Sequence, residues 1–187
     1  REIRTSERRY YQKVTDIYSE CSVDYDKNSE VTLAFFKTVQ NIMHYAVSGQ
    51  TAAEIVYHRS DAERPHMGLT TWKNAPNGRV IKSDVTVAKN YLSEKEVEEL
   101  NLLTTQYLDY AELQAKNHVL MTMSDWKRAL NRFLEFNQLE VLIDKGTISH
   151  QQAEEKAVAE YEKFRIIQDR EIMSDFDQQL KLLLNGR

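Results

Sequence analysis

The sequence predicts an all-α chain: a bundle-like domain of about six or seven helices with one small β-hairpin inserted near residues 69–82. Three observations predict it. Apolar residues recur at helical spacing through most of the 187 residues. Ser or Thr followed three residues later by Glu or Gln, the pairing that satisfies orphan amides at a helix start, occurs at Thr51/Glu54, Ser93/Glu96 and Ser149/Gln152. Turn chemistry is concentrated in residues 67–92, where Asn74-Ala-Pro76-Asn77-Gly78 separates two short β-compatible runs.

Taken in order, residues 1–20 carry Ile3, Tyr10, Val14 and Ile17 along one helical stripe. Their arginines are nearly cancelled by Glu2, Glu7, Asp16 and Glu20, which suits a solvated face. A polar connection over 21–28 leads to a helix over 29–48, with Phe35, Phe36, Val39, Ile42 and Met43 inward and Gly49 as a left-handed cap. A short helix over 51–60 stops before Pro65. The hairpin follows. Trp72 is expected to bury it against helices, because two short strands do not hold together unaided. Ser83 or Asp84 then caps a short helix to Tyr91.

The longest helix is expected over 94–117, with Val97, Leu100, Leu103, Tyr107 and Ala111 as its stripe. Ser124 caps a helix over 125–143 carrying Trp126, Leu130, Phe133, Leu134 and Asn137. A helix over 150–170 turns Ala153, Ala157, Tyr161, Phe164 and Ile167 inward, and a separate final piece over 174–184 presents Phe176, Leu180, Leu183 and Leu184. Those leucines offer a surface for packing home or for forming a homo-oligomer.

Composition narrows the function classes. The net charge of −4 argues against a general nucleic-acid binder, leaving only a local basic patch. Mean hydropathy is −0.62, and no apolar run approaches the roughly 18 residues of a membrane span. Cys21 is the only cysteine, so no intrachain disulfide forms, consistent with a reducing cytoplasm. The five histidines show no paired metal spacing, and there is no phosphate-binding glycine loop, nucleophile elbow or CxxC motif. No metal or cofactor is expected.

What remains is the basic stretch 67–92. Arg59, Trp72, Lys73, Lys82, Lys89 and Asn90 are candidate ligand-binding residues, and His58, Asp61 and Asp84 are candidate acid–base groups. Lysines around a turn with a carboxylate at a helix start suit a phosphate-containing ligand. The same residues suit a structural insertion with solvated charges.

Several of these segments carry a family resemblance. Residues 1–13, Gly49-Gln-Thr-Ala-Ala-Glu-Ile, Met67-Gly-Leu-Thr-Thr-Trp-Lys, Lys82-Ser-Asp-Val, Ala88-Lys-Asn-Tyr-Leu and Glu160-Tyr-Glu-Lys-Phe-Arg resemble the C-terminal part of RhuM-family virulence proteins. The resemblance covers nearly the whole chain. It implies a setting in bacterial pathogenicity islands or prophages, and a fragment of a longer protein whose DNA contact lies in an N-terminal region absent here. It supplies no catalytic residues. Two functions follow as expectations: a partner-binding or self-association module of a DNA-binding-type protein, and an enzyme acting on a nucleotide or nucleic-acid phosphate.

Overall fold

Among the described residues every regular element is helical. The structure, a computed structural model, describes residues 16–19, 22–24, 26 and 30–185; within its helices the side chains of 31–33, 36, 172–179 and 181–185 are not described. The expected stripe Ile3, Tyr10 and Val14, together with Cys21, falls outside these residues, as do the side chains of Phe36, Phe176, Leu183 and Leu184. The elements are α1 (Glu30–Ser48), α2 (Ala52–Arg59), 3-10 turns at Pro65–Gly68 and Ala88–Tyr91, α3 (Glu94–Lys116), α4 (Met123–Phe136) and α5 (His150–Asn185). No described helix is long and apolar enough to cross a membrane.

The chain groups into two compact units that interleave in sequence. One comprises Arg1–Thr51 with Glu94–Lys145, the other Ala52–Ser93 with Gly146–Arg187. In the first unit, α1 packs on α3 and α4. Trp126, Leu130 and Leu134, one row of α4 at spacings of four, are completely buried. Tyr107 of α3 is equally buried, and its hydroxyl bonds the Tyr18 hydroxyl at 3.2 Å and the Trp126 carbonyl at 3.1 Å. Burial raises the Tyr107 phenol well above its ordinary range. The Trp126 indole donates to Ser22 Oγ at 2.7 Å, and the Asp24 carboxylate accepts from the Met123 amide at 2.9 Å. The stretch around Ser22 is thereby tied to the start of α4.

The end of α4 differs from expectation, whereas α3 stops within one residue of its expected end. α4 stops at Phe136 rather than near 143, because Gln138 turns left-handed at φ 60°. The Gln138 amide then reaches the Glu135 carbonyl (3.0 Å) and the Leu139 amide reaches the Leu134 carbonyl (3.0 Å). That pair of bonds closes a helix in a Schellman turn. α3 ends the same way, with His118 at φ 53° and bonds from His118 to Ala115 and from Val119 to Gln114. Gln138 is not a glycine, so residue type gave no stop signal for α4. At the start of α4 the cap is Thr122, not Ser124: Thr122 Oγ1 accepts from the Asp125 amide, and the Asp125 carboxylate accepts from the Thr122 amide.

The capping pair at Ser149 and Gln152 forms in both directions, at 2.9 and 3.2 Å. The helix it opens runs unbroken to Asn185, so the two expected C-terminal helices are one. Its 36 residues span about 54 Å. Its inward row also differs from the expected one. Ala153, Ala157 and Phe164 are buried, but so is Gln168, whereas Ile167 lies exposed.

The β-hairpin expected at 69–82 is not formed; among the described residues there is no strand, only an isolated bridge between Ser22 and Met121. The physical reason is competition for backbone groups. The Asp84 carboxylate accepts from the amides of Lys73 and Ile81, both at 3.0 Å. The Gln168 side chain accepts from the Val80 amide (2.9 Å) and donates to its carbonyl (3.2 Å). The Trp72 indole donates to the Gly78 carbonyl at 2.6 Å. With these groups engaged by side chains, residues 72–84 fold as successive turns. The expected short helix from Ser83 contracts to the 3-10 turn Ala88–Tyr91, because Asp84 is occupied with the preceding loop.

Candidate functional site

The second unit carries all the expected site residues, and α5 explains how they are held. Lys156, Glu160, Phe164 and Gln168 lie four residues apart and so form one row of that helix. Lys156 Nζ donates to the carbonyls of Tyr57 (2.9 Å) and Ser60 (2.8 Å) at the end of α2. There a cation also complements the helix dipole. The Glu160 carboxylate accepts from the Ala62 amide at 2.9 Å, and Gln168 holds Val80. The Lys163 bond and that amide together lower the Glu160 pKa. One polar row thus reads the backbone of an otherwise irregular segment. The sequence held a signal for it, polar residues at i, i+4 and i+12 beside an apolar stripe, but their partners lie about 90 residues away.

Residues 61–68 form a tight left-handed knuckle. The Asp61 carboxylate accepts from the Glu63 amide at 3.0 Å, and Arg64 sits 3.5 Å from it. Three consecutive residues then have positive φ: His66 (51°), Met67 (63°) and Gly68 (84°). A side chain at Gly68 would place its Cβ 2.3 Å from the Arg59 carbonyl oxygen, so only glycine fits there. For the other two, the left-handed conformation costs roughly 1–2 kcal/mol each. Met67 recovers that cost by complete burial. His66 is exposed, and its ring lies on Trp72 with centroids 4.4 Å apart and planes 31° apart.

The expected site residues separate into two groups. Asp84 (1 % exposed), Lys89, Asn90 and Trp72 are buried. Asp84 clamps the loop through Lys73 and Ile81, and Asn90 Nδ2 donates to the Asp84 carbonyl at 2.8 Å. The Thr70 amide and hydroxyl both bond the Asn90 carbonyl, and the Arg59 guanidinium donates to the Tyr91 carbonyl at 3.0 Å. Asp61 belongs to the knuckle described above. Lys73, Lys82 and His58 are exposed. His58 packs edge-on against Tyr57, with ring centroids 5.3 Å apart. Glu54, which shares a helix face with His58 in the sequence, instead holds the Thr147 amide and hydroxyl at 2.7 and 2.8 Å.

The Asp84 carboxylate ties the backbone at Lys73, next to Trp72, to that at Ile81, next to Lys82, and His66, which the sequence did not single out, stacks on Trp72. Between residues 64 and 83 the only ionisable side chains are Arg64, His66, Lys73, Arg79 and Lys82, all exposed and none acidic. Arg64 faces Asp61 and Arg79 pairs with Asp169. Among the described residues the Lys73 and Lys82 ammonium groups have no hydrogen-bond or ion-pair partner. No group of three or more His, Cys, Asp or Glu side chains gathers at metal-binding distance among the described residues.

No curated protein and no solved structure gives a match to this chain. The family model described as "Virulence protein RhuM family" matches residues 1–173. That match takes in both units, the knuckle, the Asp84-centred loop and most of α5, and the chain belongs to the RhuM family of virulence proteins.

Proposed function

We propose that this chain is the self-association module of a virulence-associated protein of DNA-binding type, and that the distal part of α5 is the surface that joins two copies. The observation that carries this reading is the pairing of one continuous helix with exposed apolar residues two heptads apart. Ile166 and Leu180 are 53 % and 38 % exposed and lie fourteen residues apart in the 36-residue α5. The sequence fills the positions between and beyond them with Met173, Phe176 and Leu183. From Met173 on, these residues follow the three-and-four spacing of a two-helix seam. A second copy of the same helix is the partner that matches such a seam along its length. DNA contact, in this reading, belongs to another part of the full protein, and association sets how many such parts act together.

Light scattering across a concentration series tests the proposal. The expected result is a dimer that becomes monomeric in Met173→Asp/Leu180→Asp, with helix content retained in circular dichroism. A strict monomer for the unmodified chain at high concentration refutes it. So does a dimer that persists unchanged in the double variant.

A further inference from the structure

We propose that the His66–Trp72 stack, flanked by Lys73 and Lys82, is a binding site for a single nucleic-acid strand, with one base stacking on His66 and the neighbouring phosphates meeting the two lysines.

The argument begins with the knuckle. An exposed non-glycine residue in the left-handed region is uncommon, and such outliers cluster at binding sites. Met67 has a structural reason for its conformation, namely burial. The conformation of His66 instead sets its ring on Trp72 and leaves the residue open to solvent. An accessible aromatic ring backed by a second ring accepts any base by its π-face, the sequence-tolerant mode of single-strand binders.

The second observation is charge. Trp72 precedes Lys73, whose amide shares the Asp84 carboxylate with the Ile81 amide, so Lys82 begins one residue from the same clamp. Both lysines are exposed and start from the backbone that Asp84 clamps, Lys73 directly after Trp72. Asp84 itself is buried and its oxygens face the loop amides. Asp61 and Asp169 are turned to Arg64 and Arg79, which leaves Glu63, exposed just before Arg64, as the acidic neighbour of the segment. Thus a local cationic surface exists on a chain whose net charge is −4. Duplex DNA fits less well, since its stacked bases cannot reach an isolated ring.

The test is fluorescence anisotropy of labelled 20-mer oligonucleotides with the unmodified chain at low salt. Separate arms use single-stranded DNA, single-stranded RNA and duplex DNA. Either single strand is expected to bind more tightly than the duplex. Lys73→Glu/Lys82→Glu is expected to weaken single-strand binding at least about tenfold and to flatten its salt dependence, because lysine–phosphate contacts release counterions. His66→Gly accepts the left-handed backbone without strain, so it is expected to fold normally and bind about tenfold more weakly through loss of stacking. Absence of binding to both single strands, preference for the duplex, or unchanged affinity in either variant overturns the proposal. Better binding of RNA than DNA, or the reverse, identifies the strand. The readout is independent of oligomeric state, because monomeric Met173→Asp/Leu180→Asp retains both lysines and the stack.

Discussion

Gln138 shows at the scale of one residue how a fold can ask for glycine and receive something else. Its φ of 60° completes the Schellman closure of α4 at a cost that glycine would not incur. Gln138→Gly is therefore expected to raise unfolding stability by about 0.5–1 kcal/mol, the relief of strain exceeding the added freedom of the unfolded chain. Urea denaturation measures it, and a loss of stability would refute the strain account. Asp125 makes a second residue-scale case. The Thr122 amide first, then the Thr122 hydroxyl and the Arg128 guanidinium, hold its carboxyl down to about 2 from an ordinary 3.8. A depressed pKa stabilises the folded state above the unfolded value and loses that contribution as pH falls through the folded one. The contribution of Asp125 is thus complete above about pH 4 and disappears as pH approaches 2. In Asp125→Asn this step is expected to vanish from an acid titration of stability, and an unchanged acid profile would rule out the assignment.

At the scale of the element, α5 acts as a template for a segment that lacks regular structure of its own. Lys156, Glu160 and Gln168 supply the hydrogen bonds that neighbouring strands would supply in a sheet. Gln168→Leu keeps the apolar packing yet leaves the buried Val80 amide and carbonyl without their present partner. At about 1–3 kcal/mol per unsatisfied buried group, the expected cost is roughly 2–4 kcal/mol. Hydrogen exchange should report it as faster exchange at Val80 and Ile81, with α4 unaffected. Protection unchanged at Val80 would show that Gln168 does not hold the loop. The hairpin expectation failed at this same scale. Residues 74–78 do make a turn, closed by the Gly78 amide on the Asn74 carbonyl, but a local turn signal does not say whether the flanking amides pair with each other or with Asp84 and Gln168.

At the scale of the whole molecule, the two units alternate along the sequence: the chain leaves the first after Thr51, returns at Glu94 and leaves again after Lys145. Unfolding the Ala52–Ser93 part of the second unit alone would release a loop still tied at both ends. Its entropy gain would be smaller than for a free chain. We therefore expect one cooperative transition, in keeping with the single domain expected from the sequence. Each unit holds one tryptophan, Trp126 in the first and Trp72 in the second, both buried. Trp72→Phe and Trp126→Phe leave a single reporter in the first and the second unit respectively. Coincident unfolding curves for the two indoles, after correction for each substitution, are the expected outcome. Well-separated midpoints would establish two independently folding domains.

The sequence by itself determined the helical class, the starts of α2, α3 and α5 and the cap at Gly49, because capping pairs and the 3.6-residue period are local properties. It also determined that Trp72 would be buried, and its segments identified the family. Only the tertiary structure decided where α4 stops, since Gln138 becomes a left-handed cap through backbone bonds that residue type does not announce. Only the tertiary structure replaced the hairpin with a loop held from α5 and set His66 on Trp72. Those outcomes depend on which of several willing partners reaches a backbone amide first in space, and partners such as Val80 and Gln168, 88 residues apart, meet only in the folded chain.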